Sequence, residues 1–221
     1  MPARQPQQPR GYARRLAVLE GAARVFDRVG FAQASLSDIS RESGSTSGSM
    51  YFYFPSKDDL ALAIIAEQNA RTFDAIPPEA IDERPLEALI EGSRAIAAHI
   101  LTDPVVRAGM RLSLEEGTLS APTAGYYEEW IGSVSALFAR ADENGTLNSA
   151  FTPQELGRTL VPYFSGVHLV ANVLNGRQDL YSVLDVMWRV IITASVVPEH
   201  QPRLLSVVES VFRVPQPTTR G

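Results

Sequence analysis

Along this 221-residue chain the apolar positions recur every three or four residues, the period of an α-helix with one buried face. Leu16, Leu19, Ala23 and Phe26 form one such stripe, and Leu36, Ile39 and Ser43 a shorter one. The same period predicts later helices over roughly 57–75, 85–101, 104–116, 124–144, 153–174, 179–197 and 201–213. No stretch alternates apolar with polar residues between hairpin turns, so the expected fold class is all-α. Ser35 with Asp38, Ser56 with Asp59 and Thr152 with Glu155 have the spacing of capping boxes, in which a hydroxyl and a carboxylate satisfy orphan N–H groups at a helix start. Pro153 suits a first helical position. Gly30, Gly44, Pro55, Pro77-Pro78, Gly117, Gly145, Asn175-Gly176 and Pro198 mark helix ends.

Segments 160–174 and 183–197 are apolar on more than one face. A helix of that kind is buried on most sides, either as a central core helix or against a second subunit.

Between Ser35 and Phe54 the chain reads SLSDISRESGSTSGSMYFYF. A short capped helix ending at Gly44, a tight turn, and a second short helix from Thr46 to Pro55 make a helix-turn-helix, whose second helix enters the DNA major groove. Thr46, Ser47, Gly48 and Ser49 are small and polar, which lets that helix approach bases and phosphates. Tyr51 and Tyr53 carry hydroxyls for phosphate oxygens and ring surface for thymine methyls, so they are expected to face DNA. Phe52 and Phe54 are expected to pack inward. Ser35 and Ser37, at the start of the first helix, join the DNA-facing set.

Charge changes this picture only after division. The net charge is −5, but residues 1–57 hold eight basic against four acidic side chains, +4, and the remainder holds twelve against twenty-one, −9. A basic head on an acidic body fits a chain that meets phosphate at one end, although a solvated charged face gives the same asymmetry. An apolar fraction of 45% supports an ordinary globular core. The first fifteen residues are basic and Pro/Gln-rich with no apolar stretch behind them, which suggests a flexible arm rather than a secretory signal. No run of eighteen apolar residues predicts a membrane span. The absence of cysteine leaves no disulfide framework or thiolate metal site, and permits a cytoplasmic setting.

The head resembles the TetR family. The matching residues are Gly30-Phe31, Ser35-Leu36-Ser37-Asp38-Ile39, Gly44, Thr46, Gly48-Ser49-Met50-Tyr51-Phe52-Tyr53-Phe54 and Ser56-Lys57-Asp58-Asp59-Leu60, within 13–60. The resemblance implies an Ω-shaped homodimer that represses transcription until a small molecule binds the larger domain. Many relatives begin the recognition helix Thr-Lys-Gly, where this chain has Thr46-Ser47-Gly48, with Ser45 in place of a small apolar residue. One charge is thereby lost from the DNA face. Phosphate contacts then lean on Arg14, Arg15, Lys57, the N-terminal arm and helix N-termini, with a smaller salt slope.

The second half, mainly over about 100–175, resembles the γ-butyrolactone-type autoregulator receptors within that family, with two further matches near its start. The resemblance rests on Leu60-Ala61 with Glu67-Gln68, Pro104 to Leu112, Trp130 after Tyr127, and Thr159-Leu160-Val161 with Gly166. It implies that Trp130 lies over a lactone or furan ring, with Gln68 and Ser165 as polar partners and Tyr127 and Tyr163 next to them. Val105, Met110, Leu114 and Phe164 would close the pocket. An amphipathic Trp130 half-buried on a helix face is the alternative.

No catalytic constellation is visible. His99, His168 and His200 are far apart and show no metal-ligand spacing, and neither a P-loop nor a dinucleotide fingerprint occurs. Gly44-Ser45-Thr46-Ser47-Gly48 echoes a nucleophile elbow, but it follows no strand and sits inside the helix-turn-helix. An enzyme is not expected, and no cofactor or metal is. The expected division is a DNA-binding domain over 1–57 and an effector-binding and dimerisation domain over 58–221, with dimerisation through helices 153–174 and 179–197. Three functional classes remain open: a repressor released by a ligand from a palindromic operator, a regulator with no effector in the manner of the branch's pseudo-receptors, and an architectural DNA-binding protein.

Overall fold

The computed structural model describes residues 9–73, 83–115, 119 and 123–213. Within them lie helices α1 (Pro9–Gln33), α2 (Leu36–Ser43), α3 (Ser47–Tyr53), α4 (Lys57–Phe73), α5 (Pro85–Thr102), α6 (Pro104–Leu112), α7 (Ala124–Glu143), α8 (Pro153–Asn175), α9 (Leu180–Ser195) and α10 (Gln201–Phe212). The fold is all-α. One antiparallel bridge, Leu147 to Val196, is its only β-type pairing among the described residues.

The boundaries depart from expectation in informative ways. α1 starts at Pro9, so 9–15 are helical and not a flexible arm; proline is tolerated at a helix start, and Ala13, Arg14, Arg15 and Leu16 are good helix formers. Gly30 interrupts α1 as expected, with φ +77° and ψ 174°, a conformation only glycine adopts without strain. α6 ends at Leu112 rather than near 116, because the amides of Leu114 and Glu115 turn back to Arg111 and Leu112, three residues earlier. The expected stops at Pro77-Pro78 and Gly117 lie outside the described residues.

The chain divides into two compact units. The first takes residues 1–74 and 99–125 and the second 75–98 and 126–221. α4 and α6 therefore belong with the helix-turn-helix, where a boundary at 57 would separate them.

In the first unit α1 packs against α2, α3, α4 and α6. Its stripe of Leu19, Ala23 and Phe26 is buried together with Ile39, Met50, Phe54, Ile64 and Val106. Side chains of the size of Leu19, Phe26 and Ile39 each contribute about 1.5–3 kcal/mol by leaving water. Asp103 caps α6 by accepting the Val105 amide at 2.8 Å, with Pro104 at the first turn.

In the second unit the Thr152–Glu155 capping box is formed on both sides: the Glu155 amide reaches Thr152 Oγ1 at 3.2 Å, and the Thr152 amide reaches Glu155 Oε2 at 2.8 Å. Trp188 is 1% exposed and donates Nε1–H to Ser93 Oγ on α5 at 2.8 Å. The indole N–H has found a partner within its own chain, as a buried tryptophan requires. Other parts of the same two segments do face outward. Val170 and Val173 with Leu174 on α8, and Val186 and Val190 on α9, are exposed. An open groove of about 470 Å3 runs past Tyr163, Val170, Leu174, Asp179 and Val183.

Candidate nucleic-acid interface

The helix-turn-helix is fixed by local hydrogen bonds. Ser35 Oγ accepts the Asp38 amide at 3.1 Å and donates to the Asp38 carboxylate, which also binds Arg41. The Ser35 hydrogen bond first, and Arg41 after it, hold the Asp38 carboxyl below its ordinary pKa. Gly44 ends α2 in the left-handed region at φ +62°, and the Ser45 amide returns to the Ser40 carbonyl at 3.1 Å. Thr46 then caps α3 by accepting the Ser49 amide at 3.2 Å. Ser35 and Thr46 are thus caps first, whatever else their oxygens touch. Ser37 is exposed, with its Oγ 2.9 Å from that of Ser35.

α3 settles which aromatic faces where. Met50, Tyr53 and Phe54 are buried, while Tyr51 and Phe52 are about half exposed. The expectation that Tyr53 faces outward and Phe52 inward is corrected. Positions 50, 53 and 54 share one face of a 3.6-residue helix, and Met50 commits that face to the core. The outward face is Ser47, Gly48, Tyr51 and Phe52. Residue chemistry alone points Phe52 inward; helical phase turns it out.

The basic residues sort in the same way. Arg24 binds Glu42 at 2.8 Å, with Arg28 3.9 Å from the same carboxylate. Lys57 Nζ donates to the carbonyls of Phe31 and Ala34 at 2.9 and 3.1 Å and lies 4.3 Å from the Phe31 ring centre. Lys57 thus ties down the turn that follows Gly30, with two of its three ammonium donors held inside the protein. Arg15 lies 5.0 Å over the Phe54 ring, half-buried, whereas Arg10 and Arg14 are exposed on the first turns of α1.

A second candidate site lies in the second unit. The Trp130 ring centre is 6.3 Å from Tyr127 and 5.9 Å, edge-on, from Phe164, which lies 6.1 Å from His168. Trp130 and Tyr127 are half-buried, and Phe164 and Ser165 are buried. Tyr163 instead lines the α8 groove beside Val170, one residue round the helix from Phe164. His168 is buried and its Nδ1 has no hydrogen-bond partner among the described residues; burial, with a smaller contribution from Arg177, lowers its pKa to about 4. Gln68, Val105, Met110 and Leu114 belong to the first unit. There Val105 and Met110 are buried and Leu114 is exposed. Gln68 Nε2 donates to Thr72 Oγ1 at 2.9 Å, so an expected ligand donor is already engaged along its own helix.

Two family descriptions match the chain: "Bacterial regulatory proteins, tetR family" over residues 18–64, and "Tetracyclin repressor-like, C-terminal domain" over residues 83–198. The chain belongs to the TetR family. Its helix-turn-helix lies inside the first of these matches, and Trp130, Phe164 and the α8–α9 apolar face inside the second. The A-factor receptor protein of Streptomyces griseus is 31% identical over 173 residues, 78% of this chain and 60% of that protein. The chain thus matches less than two thirds of that relative's length. A gamma-butyrolactone receptor described as ArpA-like superposes with a TM-score of 0.75 at 25% identity, covering 92% of this chain and 98% of the other. The TetR family protein CprB from Streptomyces coelicolor, in complex with its biological operator sequence, superposes with a TM-score of 0.75 at 26% identity, covering 91% and 98%. This is a TetR-family transcriptional regulator that resembles the γ-butyrolactone receptors. Among the described residues, no helix is long and apolar enough to cross a membrane.

Proposed function

We propose that this protein is a homodimeric repressor that holds a palindromic operator through α3 and releases it when a small, neutral lactone- or furan-like effector binds beside Trp130. The observation that carries the effector is the half-buried indole of Trp130, bracketed by Tyr127 and by the edge of Phe164. A flat ring stacks on such an indole, an alkyl tail suits the apolar side chains around it, and few polar atoms need partners. Ser165, buried and next to Phe164 on the same helix, is a candidate for one of them. The acidic body, −9 over residues 58–221, disfavours an anionic effector.

Residues 1–57 carry the DNA contact, and residues 58–221 carry the effector and the dimer, acting in the cytoplasm. Tyr51 and the exposed Arg14 meet the operator, with Ser37 and Ser47 beside them. The exposed apolar side chains of α8 and α9 pair with their copies in an isologous four-helix interface. An effector with higher affinity for the arrangement that cannot span two half-sites shifts the dimer toward it. Footprinting on a selected operator tests this directly. An inverted repeat with half-sites about one turn, roughly 34–36 Å, or a multiple apart is expected, and synthetic γ-butyrolactones should clear the footprint. Broad coverage would favour an architectural protein, and a palindrome indifferent to every lactone an effector-independent regulator.

A further inference from the structure

α3 contains no Arg, Lys, Asn or Gln, the side chains that read bases by paired hydrogen bonds. Its outward face offers two hydroxyls, a bare backbone position and one apolar ring. The ring is Phe52, 56% exposed, whose orientation is set by an edge contact with Tyr53, centre to centre 5.1 Å at 84°. Gly48 lies one helical turn earlier on the same side. Among the described residues, nothing explains a glycine there. Its backbone is helical, a Cβ added to it would meet no atom within 4 Å, and glycine weakens a helix relative to alanine. The space beside Gly48 is open.

With the DNA-binding reading as its premise, we propose that Phe52 reads a thymine C5-methyl in each operator half-site, and that Gly48 gives the clearance that brings the ring to the base edge. Thymine is the base that presents an apolar group in the major groove, and apolar side chains recognise it by contact. The two residues divide the task. Gly48 sets how closely the helix approaches, and Phe52 fills the depth so gained.

The test begins by selecting an operator from random duplexes with the intact dimer, then replacing each symmetric pair of half-site thymines with deoxyuridine, which lacks only the methyl group. For the parent protein, one position should lose about four-fold per half-site, or about fifteen-fold with both replaced, the scale of one buried methyl group. The Phe52→Ala variant, whose fold is checked by circular dichroism, should bind thymine and uracil equally at that position and keep the parent's ratio elsewhere. Gly48→Ala should leave the thermal midpoint unchanged or raised, yet weaken operator binding by about ten-fold, the scale of a single base-edge interaction. A Phe52→Ala protein with the parent's thymine-to-uracil ratio at every position overturns the assignment, as does a Gly48→Ala protein with the parent's affinity. If the parent selects no inverted repeat, the DNA-binding reading of α3 falls and this assignment with it. A selected repeat with unchanged ratios removes this assignment alone.

Discussion

Arg107 on α6 binds Asp27 on α1 through an Nε to Oδ2 contact of 2.7 Å, with the two side chains only 21% and 26% exposed. The contact has company: Arg111 Nη1 donates to the Asp27 carbonyl at 2.9 Å, and Glu115 Oε2 accepts the Phe31 amide at 3.2 Å. α6 and the turn that follows it therefore grip the C-terminal part of α1 on both sides of the break at Gly30, where an added Cβ would fall 2.7 Å from Arg111 Nη2. Within the first unit, the helix that leads into the helix-turn-helix is held by a helix more than seventy residues away in sequence.

Breaking that grip should cost stability and DNA affinity together. Arg107→Met is expected to destabilise the protein by about 1–2 kcal/mol, between the values for exposed and buried pairs, because it leaves Asp27 partly buried without its guanidinium partner. Urea denaturation measures the first effect and operator titration the second. A variant with the parent's urea midpoint would show that the pair holds nothing.

Lys57 and Arg14 should behave as opposites. If Lys57 ties down the Phe31 and Ala34 carbonyls, Lys57→Ala lowers the unfolding midpoint while the slope of log affinity against log salt stays as in the parent. Arg14→Ala should leave stability alone and reduce that slope by about 0.9 for each phosphate no longer neutralised. A reduced slope for Lys57→Ala would return that residue to the phosphate backbone.

His168 predicts a pH dependence. Its folded-state pKa, about 4, lies below the unfolded value of 6.5, so between these limits the unfolded chain binds a proton that the folded chain refuses. Stability is then greatest above pH 6.5 and falls as the solution is acidified toward pH 4, by up to about 3 kcal/mol. His168→Gln should flatten urea midpoints across that window. Identical pH profiles for parent and variant would place the titrating group elsewhere.

The sequence made the helices and caps legible because both are local: Gly44, Thr152 with Glu155 and Asn175-Gly176 act within a turn of themselves. It placed the helix-turn-helix for the same reason. Tyr53 and Phe52 exchange places between sequence and structure because side-chain polarity says less than the phase that Met50 sets. Lys57 and Trp188 escape a sequence reading because their partners, the Phe31 and Ala34 carbonyls and Ser93, are distant along the chain. No periodicity reports such contacts.

The α8–α9 face separates assembly from folding. Leu174 is 74% exposed and Val173 83%, so Leu174→Arg should leave the monomer folded and block dimerisation, read as a mass near 24.1 kDa by light scattering. Trp188→Ala should instead lower stability by about 3–5 kcal/mol through the cavity it opens. A Leu174→Arg protein that remains dimeric would put the interface on another surface.

The most direct test of the account is operator release followed by fluorescence anisotropy, with the parent and Trp130→Ala proteins titrated in parallel with synthetic γ-butyrolactones. Both should bind the operator equally well without effector. The parent should then let go as the lactone is added while Trp130→Ala stays bound, since the variant has lost the face on which the ring lies. Release of both proteins at the same lactone concentration would contradict an effector site at Trp130, and release of neither would contradict a lactone-responsive repressor.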